Sequence, residues 1–368
     1  MKKVLMLGNH EIVIYNFRKE LIERMIQEGY EVTVALPYGP KVEFLKEMGC
    51  KFVDTPINRR NTNPLEDIKV LFNYIKIINQ VKPDVVLTYT IKPNIYGGLA
   101  CRLKKVPYIV NVTGLGSSFL NGGILHNIVS ILSKISFKKA NMVFFQNTAD
   151  RDLLISKGIV KDNHDLLPGS GVNLELYQVL PYPAESDPIS FNFIARIMKD
   201  KGIDEYLEAA TIIKKKYPDV IFNVIGMIDQ PWYGEILKKH EQDGIIVYHG
   251  FQNDILPFIQ NSSCTINPSH TEGMSNVLLE SAACGRPIIA SNIPGCKEIV
   301  SEDVNGYTFE VKSSSNLIQR IEKFIWLSHQ QKIQMGLKGR QKIEIEFDRQ
   351  IVVNRYIDLI NEIVMKIR

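Results

Sequence analysis

The sequence predicts two α/β lobes, each built on a doubly wound parallel sheet, and three observations carry that reading. Continuous apolar runs rich in β-branched residues alternate with amphipathic segments along nearly the whole chain of 368 residues. Unbroken apolar strands separated by helices are the mark of a parallel sheet covered on both faces. The alternation stops at QVLPYPAESDPIS, residues 178–190, which has no apolar periodicity, and then restarts. Hydrophobic residues at 45% and charged residues at 23% exclude wholesale disorder.

In order, KKVLMLG reads as a buried strand ending in glycine. A helix follows over 16–28, with Phe17, Leu21, Ile22, Met25 and Ile26 at helical spacing. EVTVALP, KFVDTPI, DVVLTYT, YIVNVTG and MVFFQN repeat the strand theme, with helical stretches such as LEDIKVLFNYIKIINQ between them. Beyond the linker come FNFIARI, VIFNVIGM, IIVYHG, SCTINPS and PIIAS, again with helices between, and the chain closes on a long helix over 348–368. Ligands of doubly wound sheets bind beyond the carboxyl ends of the strands, so the natural site is the cleft between the lobes.

Several functional classes are disfavoured. Net charge is +4, too small to demand nucleic acid, though it is unevenly spread: residues 1–177 carry +7 and the remainder −3. Five scattered cysteines without CxxC spacing argue for a reducing cytosol, and against disulfide scaffolds and zinc knuckles. No window reaches the length of a transmembrane helix, and the N-terminal apolar run is too short for a signal peptide. The expectation is a soluble intracellular chain. No two histidines stand at ligand spacing, so no metal site is expected. Asp150-Arg151-Asp152 is formally a DxD, but it opens an amphipathic helix, where acids suit the helix dipole. The first strand is not followed by GxGxxG, which weighs against a nicotinamide enzyme.

The chemistry concentrates in PSHTEGMSNVLLESAACGRPIIASNIPGCKE, residues 268–298. A strand runs into a small-residue turn and a helix opens near Ser275, so the amides of Gly273, Met274, Ser275 and Asn276 are expected to face an anion. Glu272 precedes that helix and Glu280 lies along it, a spacing suited to holding separate hydroxyl groups rather than sharing a proton. In ARIMKDKG, Arg196 and Lys201 stand between a strand end and a helix, as a diphosphate clamp would require. Charge-assisted contacts of that kind are worth roughly 1.5–3 kcal/mol each. Alone, the R-x4-K pattern is weak and reads as solvated loop charge.

Together, ARIMKDKG and SHTEGMSNVLLESAACGRPIIAS resemble the retaining glycosyltransferases of family 4, whose signature is the E-x7-E spacing seen from Glu272 to Glu280. PGSGVNLELY, 168–177, resembles their junction between lobes. The resemblance implies the GT-B fold, with two doubly wound Rossmann-like domains facing each other across a cleft. The domains would be an acceptor-binding domain over 1–177 joined by a C-terminal helix over 349–368, a linker over 178–190, and a nucleotide-sugar domain over 191–348. It further implies that Arg196 and Lys201 bind the donor diphosphate and that Glu280 holds the ribose hydroxyls. Glu272 with the amides of Gly273 to Asn276 would hold the donor sugar and its phosphate, and Gly8 would let the backbone approach the donor. One departure stands out: NVTGLGSSF has Thr113 and Gly114 where many family members place a histidine, so no histidine contact is carried over.

YNFRKEL, NRRNTNP, YTIKPNIYGGLA and VTGLGSSF narrow the likeness to a bacterial subgroup including the PglA-type N-acetylgalactosaminyltransferases, which extend glycans on polyprenyl diphosphate. That implies a UDP-sugar donor, a HexNAc as the sugar, no cofactor, and a place in capsule, exopolysaccharide, O-antigen or glycoprotein glycan synthesis. Arg18, Arg59, Arg60 and Lys92 become candidates for the acceptor diphosphate, and His10 for acceptor contact; surface charge on loops explains the basic ones equally. In segment 124–139, Ile124, Leu125, Ile128, Ile131, Leu132 and Ile135 form one helical face, with Lys134, Lys138 and Lys139 near its end. That pattern fits packing on the sheet, or a helix lying on the inner face of the cell membrane. Two other readings stay open: another GT-B nucleotide-sugar enzyme such as an epimerase, and a non-catalytic sugar-nucleotide-binding subunit.

Overall fold

The computed structural model describes residues 1–58, 63–115 and 123–366. The chain divides into two compact units, Met1–Ser170 with Arg349–Arg368, and Gly171–Asp348. The first contains β1 (Lys3–Leu7), α1 (Glu11–Gln27), β2 (Glu31–Leu36), α2 (Val42–Glu47), β3 (Lys51–Asp54), α3 (Pro64–Val81) and β4 (Val85–Tyr89). A π-turn over Pro93–Gly97 leads into α4 (Gly98–Lys104), then β5 (Tyr108–Val112), α5 (Gly123–Phe137), β6 (Met142–Phe145), α6 (Thr148–Ser156) and β7 (His164–Leu166). All its strand pairs are parallel, in the order β3-β2-β1-β4-β5-β6-β7. Every residue of β4 and β5 is buried, which explains their continuous apolar runs.

The second unit holds β8 (Ser190–Ile194), α7 (Ile203–Lys216), β9 (Ile221–Ile225), α8 (Tyr233–Gln242), β10 (Val247–Tyr248), α9 (Leu256–Gln260) and β11 (Cys264–Asn267). It continues with α10 (Asn276–Ala283), β12 (Ile288–Ser291), β13 (Gly306–Phe309), α11 (Ser314–Ile325) and α12 (His329–Glu346). Its parallel sheet runs β10-β9-β8-β11-β12-β13. In each unit the strand order reverses once, between β1 and β4 and between β8 and β11. Side chains cannot fill the space where successive crossover helices part to opposite faces, so a crevice opens there at the strand carboxyl ends.

The closing helix α13 (Arg349–Lys366) belongs to the first unit. Val352, Val353, Tyr356, Ile357 and Ile360 join the core made by α1 and one face of the sheet. Arg349, only 7% exposed, is held by both carboxylate oxygens of Glu20 at 2.9 Å, and the Tyr356 hydroxyl reaches Asn111. The opposite sheet face is covered by α3, α4, α5 and α6 through Tyr74, Ile77, Ala100, Phe137 and Leu154. Among the described residues no helix is long and apolar enough to cross a membrane.

The division between the units falls at Ser170, ahead of the expected limit at 177, and the expected linker is a strap bound to the second unit. Arg286 is fully buried without a carboxylate partner in contact, and its five N–H groups go to five carbonyls. Two of these, Leu180 and Pro181, lie in the strap; Ile259, Gln260 and Cys284 lie in the body of the unit. Leu180 returns its amide to Cys284, and Tyr182 donates to the Ser263 carbonyl. Burial lowers the Arg286 pKa, but the carbonyls around it leave the cation well solvated by dipoles. Removing this side chain strands several carbonyls at once. Arg286→Leu is therefore expected to cost about 3 kcal/mol or more in urea unfolding. Arg286→Lys should recover little of this, because an ammonium cannot span the fork. An unchanged urea midpoint in either variant would contradict the clamp.

Candidate functional site

The strand reversal in the second unit brings together the loop after β8 and the loop after β11. Arg196 leaves β8 with a half-exposed side chain, its Nη1 3.6 Å from Asp229 Oδ2. Lys201 ends a 3₁₀ turn over Lys199–Lys201, and its Nζ is 2.6 Å from Glu272 Oε1. The same carboxylate oxygen accepts from Ser269 Oγ at 2.8 Å. The two loops are pressed together at Gly202, whose φ is +73° and where an added Cβ would lie 2.0 Å from the Pro268 carbonyl oxygen. Only glycine permits that approach, so Lys201 is held directly over the 268–276 loop.

Ser275 caps α10, its Oγ accepting from the Leu278 amide and from Asn267 Nδ2 at 2.6 Å. The cap fixes which amides remain available. The Ser275 amide donates to the Gly295 carbonyl at 2.8 Å, which corrects the expectation that it faces a ligand. The Met274 and Asn276 amides carry no hydrogen bond among the described residues. Along α10, Leu278, Leu279 and Ala282 are buried, whereas Asn276, Val277 and Glu280 are only partly so. Asn276 and Glu280 are thus one turn apart on the solvent side of the helix, and Glu272 sits at its mouth. Below the loop, burial pushes the Cys296 thiol well above its ordinary value, with the Glu272 charge adding to it and Lys201 opposing. The thiol stays protonated and is no nucleophile.

Residues not assigned to the site above also build it. His270 points away from the crevice: its Nε2 is 2.8 Å from Glu205 Oε1 on α7, and its amide donates to the Asp200 carbonyl. It braces the Lys199–Lys201 turn against the 268–276 loop. Ser269 and Asp229 had no distinguishing sequence context, and Gly202 could have been found from its place directly after the R-x4-K pattern.

In the first unit the picture is mixed. Gly8 is buried, and a Cβ there would meet Ile14 Cγ1 at 3.3 Å. Its lack of a side chain serves packing against α1. His10 caps α1, its Nδ1 accepting from the Ile12 amide and lying 3.0 Å from Glu11. Arg18 is 3% exposed, with its guanidinium over the rings of Tyr89 and Tyr356 and its Nη1 on the Phe17 carbonyl. An arginine so enclosed packs the core, and the expectation that it meets an acceptor diphosphate is corrected accordingly. Lys92 pairs with Asp67 at 2.8 Å, and Tyr96 donates to the same carboxyl group. Arg59 and Arg60 lie outside the described residues. At the strand reversal itself, Asn9 Oδ1 follows β1 and Thr90 Oγ1 follows β4; both are buried and unpartnered. Thr90 also holds φ at +73°, a costly conformation for a β-branched residue. Asp150 and Asp152 open α6, where Asn147 caps the helix and Arg151 pairs with Asp152.

Residues 3–147 match the family described as glycosyl transferase 4-like, and residues 181–341 match glycosyl transferases group 1. The chain belongs to the GT-B glycosyltransferases. It is 26% identical to the N,N'-diacetylbacillosaminyl-diphospho-undecaprenol alpha-1,3-N-acetylgalactosaminyltransferase of Campylobacter jejuni, over 96% of this chain and 97% of the relative. It is 24% identical to the UDP-Gal:alpha-D-GlcNAc-diphosphoundecaprenol alpha-1,3-galactosyltransferase of Escherichia coli, over 77% and 76% of the two chains. Among solved structures, Anabaena HepE in complex with UDP and glucose superposes with a TM-score of 0.79 at 17% identity, covering 97% and 98% of the two chains.

The candidate site depends on the close approach at Gly202, and this can be isolated experimentally. Gly244 has a similar φ of +66° but nothing within 4 Å of an added Cβ. Gly244→Ala is expected to cost about 1 kcal/mol for the left-handed backbone alone. Gly202→Ala should cost at least about 2 kcal/mol more in urea unfolding, because the two loops must separate. Equal losses would show that the contact does not hold them.

Proposed function

We propose that this glycosyltransferase moves a sugar of the HexNAc type from a UDP-sugar to a saccharide carried on polyprenyl diphosphate, with retention at the anomeric carbon and without a metal ion. The observation that carries the donor half is the convergence of Arg196, Lys201, the Met274 and Asn276 amides and Glu280 at one strand reversal. Two cations and a helix N-terminus supply the positive field that a nucleotide diphosphate needs, in place of a divalent ion. Glu280, on the solvent side of α10, holds the ribose hydroxyls. Glu272 holds the donor sugar, and a diphosphate entering the site competes with it for Lys201. Asn9 and Thr90, whose side-chain oxygens lack partners, receive the acceptor saccharide in the first unit, with His10 and Lys92. The relatives favour this acceptor class, since both names specify undecaprenyl-diphosphate-linked substrates.

The chemistry follows from what these side chains offer. The bond from the anomeric carbon to the β-phosphate oxygen breaks with its electron pair remaining on phosphate, where Arg196 and Lys201 stabilise the charge. The acceptor hydroxyl bonds to the same face of the sugar and passes its proton to the departing phosphate oxygen. This route needs no separate protein base, and positioning with charge stabilisation is the protein's main contribution. Retention is favoured by the Escherichia coli relative, which uses UDP-Gal, an α-glycoside, to form an alpha-1,3 bond. We infer that the transfer is made at the inner face of the cell membrane, where a nucleotide-sugar and a lipid-carried acceptor meet.

The test is transfer from a panel of UDP-sugars to a polyprenyl-diphosphate-linked saccharide dispersed in detergent, with chelator present. The expected product is one sugar longer, with an α-configured new linkage, and turnover is unaffected by the chelator. Arg196→Ala and Lys201→Ala should each lower kcat by about 10² or more at unchanged Tm. Nucleotide-sugar conversion without acceptor lengthening, or wild-type rates in both variants, would contradict the proposal.

A further inference from the structure

The outer surface of α3, α4 and α5 is apolar where water should meet it. α3 turns Val70, Tyr74, Ile77 and Ile78 into the core and leaves Leu65, Ile68 and Phe72 exposed at 70%, 49% and 64%. These three stand at i, i+3 and i+7, a single stripe on the side of the helix away from the core. α5 repeats the arrangement: Ser133, Ser136 and Phe137 are buried, while Ile128, Ile131 and Ile135 are exposed at 47%, 59% and 44%. α4 packs against both helices, and its Leu103 is 65% exposed. All three helices cover the same face of the sheet. Scattered exposed hydrophobes are ordinary, but matched stripes on neighbouring helices mark an interaction surface.

The charge around the stripes is predominantly positive. From Val85 to Ala149 the sequence contains no Asp or Glu but seven Lys and Arg, although the whole chain has 40 acids. Lys104, Lys105, Lys134, Lys138 and Lys139 are exposed along α4 and α5 and just beyond their ends, and Lys69 and Lys76 flank the stripe on α3. The acids of α3, Glu66 and Asp67, sit together in its first turn, and Asp67 is already held by Lys92 and Tyr96.

We propose that this three-helix face rests on an anionic lipid bilayer, with the stripes of α3 and α5 and Leu103 entering the acyl boundary and the lysines contacting acidic headgroups. The proposal deepens the function given above, whose acceptor is itself anchored in the bilayer. Of the α5 face read from the sequence, Ile128, Ile131 and Ile135 are exposed, while the side chains of Ile124 and Leu125 lie outside those described.

The experiment is flotation of the full-length chain with vesicles of phosphatidylcholine alone, or with one-third phosphatidylglycerol. Wild-type protein is expected to float with the anionic vesicles, less with the neutral ones, and less as salt rises. The double variant Phe72→Ser with Ile131→Ser, and the triple variant K134E with K138E and K139E, should each lower partitioning at least about tenfold at unchanged Tm. Wild-type protein that fails to float at low salt, or variants that float like it, would overturn the proposal. So would a dimer in gel filtration that the serine variant dissociates, since a second copy would then cover the face. A detergent assay separates this claim from the catalytic one. Variants that act on dispersed acceptor but not on bilayer-embedded acceptor would support the face. Lipid binding by a wild-type chain that transfers no sugar would also support it, while counting against the function proposed above.

Discussion

Two loops in the second unit meet where Gly202 lies against the carbonyl of Pro268, with room for nothing larger than a hydrogen. The contact follows from topology. The strand after which Arg196 emerges and the strand before Pro268 are neighbours in the sheet, and their crossover helices leave on opposite faces. Because the loops touch, the Lys201 ammonium and the Glu272 carboxylate come within 2.6 Å, and His270 can reach Glu205. The candidate donor groups are therefore fixed by backbone packing rather than by flexible side chains alone, which is the preorganisation that electrostatic catalysis needs.

The pairing of Lys201 with Glu272 suits the proposed function. A lysine in a crevice without a counter-charge pays a desolvation penalty, and a lysine locked to two carboxylates would resist a diphosphate. A single carboxylate oxygen, already shared with Ser269, is an intermediate arrangement. A phosphate can take over the ammonium while Glu272 turns to sugar hydroxyls. Arg196, more exposed and 3.6 Å from Asp229, is held more loosely still. Burial is thus spent on the scaffold, through Arg286 and Arg349, and the candidate catalytic cations remain accessible.

Much of this was legible in the sequence because the buried strands are written as unbroken apolar runs. The strands that escaped reading are β7 and β13, HDL and GYTF, edge strands too short and too polar to show a pattern. The helix opening at Ser275 was readable because a serine cap between a small-residue turn and an apolar run has a local cause. The fate of the Ser275 amide is not readable locally, because its partner, the Gly295 carbonyl, lies twenty residues away. Arg18 hides its role for a similar reason: nothing local shows that Tyr89 and Tyr356, one far along the chain and one near its end, close over it. The strap over 178–190 read as a free linker because the residue that clamps it, Arg286, is distant in sequence. Local chemistry was visible; long-range partners were not.

The central claim is that the strand reversal of the second unit receives the nucleotide. Amide hydrogen exchange with and without saturating UDP tests it most directly, since it reports where binding occurs without requiring turnover. Slowed exchange confined to 195–203 and 268–280 is the predicted result. UDP binding with protection at the ends of β1 and β4 instead, and none in those two loops, would contradict the account.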